Sequence, residues 1–409
     1  MAEVTVLDIL LYGEPIATLA RVGDDRTFFA FNQGYIENPQ RPTLSLSFKD
    51  QLGGLMTDFR PYRMRLMPFL SNLLPEGHMR SYLAQRASVN EQREFFLLWA
   101  LGTDLPGAIT VRPVEGEPWP PGTDADGSEN DAEPRENALR FSLAGVQLKF
   151  SAVLERMGGL TIPAKGIGGD WIVKLPSPQF EGVAENEFAM MTLARMMGMN
   201  VPEIRLMDTS AITNLPKGIG TLKGQSLAVR RFDRSDDGSA IHIEDFAQIF
   251  SIYPDQKYEK GSARNIAQVI GAEGTEADIT EFIRRLTFNV LIGNADMHLK
   301  NWSMIYPDTR SAALSPAYDF VSTIAFLPDE TAALKFSRTK KFREFGFDEL
   351  SHLAAKAMLP EKLVLDTARE TVTLFHQHWQ AERSNLPLSK EAVARIDAHV
   401  DTLPICRES

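Results

Sequence analysis

The run Asn294-Ala295-Asp296-Met297-His298-Leu299-Lys300-Asn301, followed by Tyr318 and Asp319, holds the residue types in this chain best suited to chemistry. Phosphoryl transfer needs a carboxylate that orients a hydroxyl nucleophile, which Asp296 can supply. It also needs oxygen ligands for a hard cation, and Asn301 and Asp319 can supply those. The short motif alone decides little, because Asp, His and Asn after a helix often only cap it or form a turn. The elements around it carry the argument further.

The apolar spacing of Phe282, Ile283, Leu286 and Val290 predicts a helix over 278–292, opened by Asp278 with Glu281 and stopped by Gly293. A short strand at 302–306, a turn at 307–310 and a returning segment then deliver Asp319 to the place where the helix ends. Helix, loop and hairpin in this order are the catalytic layout of kinase-like folds. Such a layout requires an upstream lysine on a buried strand beside a helix that carries a glutamate. Lys174, inside the apolar run 170–176, fits the first part. The helical pattern over 184–197, ended by Gly198, fits the second; of Glu185 and Glu187 in its first turn, Glu187 is the preferred partner. Further upstream, 140–150 reads as a turn between two strand-like runs. Ala144 and Gly145 are small and lie beside Val146, Gln147, Leu148 and Lys149, so backbone amides there could approach phosphate, although the loop has one glycine where a glycine-rich loop has three.

These segments, with Asn186 beside Glu187 and the run Leu227-Ala-Val-Arg-Arg-Phe-Asp-Arg234, resemble the HipA family of bacterial toxin kinases. The resemblance covers almost the whole chain, since Leu73-Leu-Pro-Glu-Gly77 and Asp104-Leu-Pro-Gly-Ala108 are similar to segments of that family's N-terminal subdomain. It implies an α+β, bilobal protein-kinase-like fold with ATP and Mg2+ as cofactors, in which Asp296 is the catalytic base and Asn301 and Asp319 hold the metal. It further implies that 144–149 covers the phosphates, that Lys174 binds them, and that His298, Leu299, Lys300 and Tyr318 line the nucleotide site. Arg230, Arg231 and Phe232 would form the hinge whose backbone pairs with adenine; the family pattern has a glutamate where Arg230 stands. Ser142 matches the family's autophosphorylated serine, and two added negative charges there would disfavour ATP phosphates nearby. The implied partners are a small helix-turn-helix antitoxin (HipB-like), DNA through that antitoxin, and a protein substrate, typically an aminoacyl-tRNA synthetase.

Composition bounds the rest. The 409 residues suffice for two or three domains, and 54 acidic against 43 basic residues, a net charge of −11, argue against direct nucleic-acid binding by the chain as a whole. The local basic run at 338–343 reads as a solvated loop. The single Cys406 excludes an internal disulfide framework. No apolar run approaches the roughly 18 residues of a membrane helix and no signal-peptide pattern opens the chain, so a cytoplasmic protein without a membrane partner is expected. Residues 1–112 read as a small α+β accessory subdomain, with strands including 43–48 and a helix at 91–101. An acidic, Pro/Gly-rich linker occupies 113–137, a kinase N-lobe 138–232, and a mainly helical C-lobe 233–409, with helices near 347–356, 360–379 and 390–403. His376 and His378, two apart on a helix, do not share a face and read as surface histidines. Two rival readings stay open: a small-molecule or lipid kinase with a similar catalytic loop, and a non-catalytic co-repressor partner of a DNA-binding protein.

Overall fold

The computed structural model describes residues 5–114, 149–154, 160–161, 169–177, 179–215, 223–328 and 330–407. Ser142, the phosphate-loop candidates 144–148 and nearly all of the linker lie outside the described residues. Pro113, placed in that linker, instead ends a strand.

The N-terminal part is built on strands β1 (Thr5–Leu11), β2 (Glu14–Val22), β3 (Arg26–Phe31), β4 (Tyr62–Arg63) and β5 (Ile109–Pro113), ordered β4-β3-β2-β1-β5 and antiparallel throughout. Period-two alternation sends Leu7, Ile9 and Leu11 of β1, with Phe29 and Phe31 of β3, into one core against helices α1 (Gly77–Ala87) and α2 (Glu94–Leu101). The strand expected over 43–48 does not form. Ser45 instead accepts the Ser47 amide and caps a single 3-10 turn, Leu46–Phe48, because its hydroxyl offers the backbone a local partner that a strand would forgo.

Strands β6 (Lys149–Leu154), β7 (Leu160–Thr161), β8 (Trp171–Lys174), β9 (Ile204–Asp208), β10 (Ile212–Thr213) and β11 (Gln225–Arg230) form a second sheet, ordered β10-β7-β6-β8-β11-β9. Its faces have different partners. Trp171 and Val173 of β8, with Phe150 and Ala228, join the core of the N-terminal part, whereas Leu227 and Val229 join the larger core below. Alternation therefore puts Lys174 on the second face, toward helix α3 (Val183–Met196).

The remainder is mainly helical. Strands β12 (His242–Asp245), β13 (Ser303–Tyr306) and β14 (Ala313–Leu314) form a small antiparallel sheet beside helices α4 (Ala263–Glu273), α5 (Glu276–Leu291), α6 (Phe347–Ala357), α7 (Glu361–Glu382) and α8 (Lys390–Val400). Helix α5 begins two residues earlier than its sequence pattern suggested. Thr275 is the cap and Asp278 the reciprocal third residue of a capping box, so the Asp278 signal was real but displaced by one half of the motif. No described helix is long and apolar enough to cross a membrane. The basic run at 338–343 is partly neutralised, with Arg338 paired to Asp348 and Glu349 and Lys341 to Glu344.

A buried ion cluster locks the N-terminal part to the second sheet. Arg231 is held by Asp104 at 3.1 Å and by Asp233 at 2.7 Å, while the Gly107 amide donates to Asp233 at 2.8 Å. Gly107 sits at φ +75, and a Cβ there would lie 2.8 Å from the Ile243 nitrogen, which explains the glycine of the run 104–108. Burial opposes ionisation of Asp233, but Arg231 and Arg234 outweigh it and bring its carboxyl to about 2. A lowered acid contributes stability above its unfolded value and loses it as pH falls. Urea unfolding should therefore show wild-type stability dropping from about pH 5 to about pH 3, with Asp233→Asn removing about 1 kcal/mol of that drop. An unchanged acid limb in Asp233→Asn would contradict this assignment.

Candidate active site

Helix α3 sets the site. Glu187 shares its buried stripe with Ala184, Met191 and Ala194, whereas Glu185 is only half-buried, so Glu187 is the carboxylate that reaches Lys174. Beside it, Asn186 accepts the Ser322 amide at 2.8 Å and donates to the Ser322 carbonyl at 3.3 Å. One turn of helix thus grips both the lysine strand and the segment just after Asp319.

Lys174 bridges Glu187 and Asp319, and Lys149 lies 3.5 Å from the other Asp319 oxygen. Lys149 and Lys174 stand directly opposite each other on β6 and β8. Like charges so placed repel unless anions lie between them. Burial opposes the Lys174 charge, but Asp319 and Glu187 outweigh it and hold the ammonium above the usual lysine range. In the same way Lys149 and Lys174 overcome burial and keep the Asp319 carboxyl below the usual carboxylate range. Asp319 adopts the left-handed conformation, φ 57, which Asp tolerates better than most residues, and its carbonyl accepts from Asn294 at 3.3 Å.

Asp296 lies across from this charge cluster, open to solvent, with Oδ1 accepting the Tyr258 hydroxyl at 2.6 Å. Withdrawal of part of the carboxyl from water raises it above the ordinary value, against the pull of the Tyr258 bond, and the Asp319 charge adds to the rise. Asn301 donates Nδ2 to the Asp296 carbonyl at 2.9 Å, which leaves Oδ1 available as a ligand. The oxygen donors Asn301 and Asp319 suit a hard divalent cation, so the residues present fit magnesium.

The other sequence candidates divide. His298 is buried edge-on to Tyr258 at 4.9 Å, and burial with the Lys257 charge drives its imidazole down to about 3, so it is neutral near pH 7. Leu299 is fully buried in the C-lobe core. Lys300, expected near the nucleotide, turns the other way: its ammonium meets Glu76 at 2.8 Å and the Asn72 carbonyl at 3.0 Å. Tyr318 donates to the Lys300 carbonyl at 3.0 Å and packs 5.6 Å from Phe232. Along the hinge, the Arg230 and Arg231 amides already donate to the carbonyls of Glu203 and Asp170, and the Arg231 side chain belongs to the ion cluster. The amide of Phe232 has no partner among the described residues. Sequence reasoning missed Tyr258, Lys257 and the roles of Glu76 and Asp104; for the last two, the Leu-Pro-Glu-Gly and Asp-Leu-Pro-Gly runs were visible but carried no chemistry of their own.

The HipA-like C-terminal domain matches residues 141–379 and the HipA N-terminal domain residues 7–112. Y4dM of Sinorhizobium fredii, provisionally named a kinase, is 61% identical over 100% of this chain and 99% of its own length. The serine/threonine-protein kinase toxin HipA of Shewanella oneidensis is 28% identical over 73% of this chain and 71% of its own. A solved complex of Shewanella oneidensis HipA, HipB and operator DNA superposes with a TM-score of 0.71 at 22% identity, covering 97% of this chain and 95% of that one. This likeness shows the bilobal fold.

The backbone entering the catalytic loop turns at Gly293, whose φ is +62 and whose added Cβ would lie 2.6 Å from the Ile324 side chain. Asn294 then bonds Asn289 at 2.8 Å, and its Oδ1 accepts the Asp296 amide at 3.0 Å. Gly293→Ala should therefore cost at least about 1–2 kcal/mol in urea unfolding, from left-handed strain with the Ile324 clash added. A variant as stable as wild type would show that the turn does not require glycine.

Proposed function

The chain belongs to the HipA family, and from that premise we propose that it is an ATP- and magnesium-dependent serine/threonine protein kinase, the toxin of a toxin-antitoxin pair. The observation that carries this reading is the convergence of Glu187 and Asp319 on Lys174, close enough to Asp296 for the Asp319 charge to act on its carboxyl, with Asn301 bonded to the Asp296 carbonyl. Binding of ATP phosphates gives Lys149 and Lys174 new anionic partners in place of Asp319. Asn301 and Asp319 would hold magnesium, which neutralises phosphate charge. Asp296, with Oδ1 engaged by Tyr258, keeps a second oxygen for the acceptor hydroxyl and takes its proton as the γ-phosphoryl group leaves ADP. The Phe232 amide, without a partner among the described residues, is the hinge donor suited to adenine.

Family membership also supports a helix-turn-helix antitoxin, encoded beside this chain, as the restraining partner that links it to DNA, with the kinase acting in the cytoplasm. The acceptor is a protein of the translation machinery, such as an aminoacyl-tRNA synthetase, and Ser142 is the site of self-phosphorylation. Co-purification with the neighbouring gene product tests the partner.

Incubation with γ-labelled ATP, magnesium and whole-cell lysate tests the activity. Wild type should label protein bands and itself at Ser142, and Asp296→Ala and Lys174→Met should each cut labelling by about a hundredfold or more. Labelled lipid would instead identify a small-molecule kinase, and absence of turnover in wild type would contradict phosphotransfer. Self-label on another residue, with Ser142 unmodified, would remove Ser142 from the account.

A further inference from the structure

Glu76 precedes helix α1 of the N-terminal part, yet its carboxylate grips two lysines of the kinase part: Lys257 at 2.8 Å and Lys300 at 2.8 Å. Both ammonium groups are almost wholly buried. Each lysine is chain neighbour to a residue of the reaction centre. Lys257 precedes Tyr258, whose hydroxyl holds Asp296, and Lys300 precedes Asn301, whose amide closes the loop onto the Asp296 carbonyl. The Asn72 carbonyl adds a second bond to Lys300, and Asn72 itself donates to the Ile252 carbonyl at 2.7 Å.

Docking of the N-terminal part does not require this arrangement. The Asp104 and Asp233 cluster already joins the parts at the hinge, and Glu244 accepts the Leu46 amide at 2.8 Å. Glu76 is distinct because its partners lie on the segments that hold the two ends of the catalytic loop. Without its charge, two buried ammonium groups lose their shared counterion and must turn toward water, drawing Lys257 and Lys300 out of place.

The geometry points to Glu76 as a positioning residue for phosphotransfer: through Lys257 and Lys300 the N-terminal part fixes Tyr258, Asp296 and Asn301 in their working arrangement. This rests on the phosphotransfer reading above. It makes the N-terminal part a component of the catalytic apparatus, acting on turnover more than on nucleotide affinity, since Lys149, Lys174 and the hinge lie elsewhere.

The test compares Glu76→Gln and Glu76→Asp with Glu94→Gln in the full chain. Glu94 is a still more deeply buried carboxylate whose partners, the Leu66 amide, Ser71, Arg80 and Arg65, all belong to the N-terminal part. Loss of γ-phosphate from magnesium-ATP to all acceptors gives kcat, and titration with a fluorescent ATP analogue gives affinity. Glu76→Gln should lower kcat by about tenfold or more with affinity within about twofold of wild type. Glu76→Asp should fall between the two. Glu94→Gln should keep kcat within about twofold even where its melting temperature drops as far. Hydrogen exchange at 296–301 should quicken in Glu76→Gln alone. Unchanged kcat in Glu76→Gln, an equal kcat loss in Glu94→Gln, or a loss confined to affinity overturns the proposal. If Glu76→Gln does not fold, unchanged kcat in Glu76→Asp overturns it as well. A wild type that transfers nothing overturns the phosphotransfer reading, and this inference falls with it.

Discussion

A lysine ammonium buried on the inner face of a sheet constrains nearly everything around it. Unpaired, Lys174 would cost several kcal/mol, and Lys149 directly opposite adds repulsion. Two carboxylates from distant parts of the chain must therefore arrive at the same point. Glu187 comes on helix α3, which packs on β9 and β11 and turns Glu187 toward Lys174 of β8. Asp319 comes on a backbone bent into the left-handed region, and Asn186 bonded to Ser322 keeps it there. Two ammonium groups and two carboxylates balance in this cluster, with Asp319 serving as a counterion. On the proposed function, a phosphate group that relieved it of that duty would free a carboxylate for a metal.

The second requirement is that the opposite wall stay still. Asp296 and Asn301 sit on a loop, and loops left alone are mobile. Gly293 turns the chain, Asn294 bonds back to Asn289, Tyr318 holds the Lys300 carbonyl, and Glu76 anchors the Lys300 side chain. The sheet between the two walls has no solvent-facing side at its centre, because Trp171 and Val173 pack on the N-terminal part while Leu227 and Val229 pack on the C-lobe core. The N-terminal part is thus a third layer behind the candidate site, pinned to Arg231 by Asp104 and to Lys300 by Glu76.

Much of the candidate site was legible in the sequence, and for a local reason. Asp296 and Asn301 are five residues apart on one loop, Glu187 follows from the first turn of a helix, and Lys174 stands out as a charge inside an apolar strand. What the sequence could not show were partners joined over long separations. Lys300 reads as a nucleotide contact until Glu76, far upstream, is seen to claim it. Tyr258 carries no motif, and only the fold brings its hydroxyl to Asp296. Arg231 reads as a hinge residue, but its amide donates to the Asp170 carbonyl and its side chain answers to Asp104. The strand expected over 43–48 failed because alternation of polar and apolar residues also suits a capped turn, and Ser45 decides between them.

The central claim is that the Lys174, Glu187 and Asp319 cluster is the ligand-free form of a nucleotide and metal site. A crystal structure with magnesium and a non-hydrolysable ATP analogue tests it most directly. The account predicts Lys174 on the phosphates with Glu187 still attached, Asp319 released from Lys174, and Asp319 and Asn301 Oδ1 on the metal. Nucleotide bound elsewhere, with the bridge from Lys174 to Asp319 intact, would contradict it.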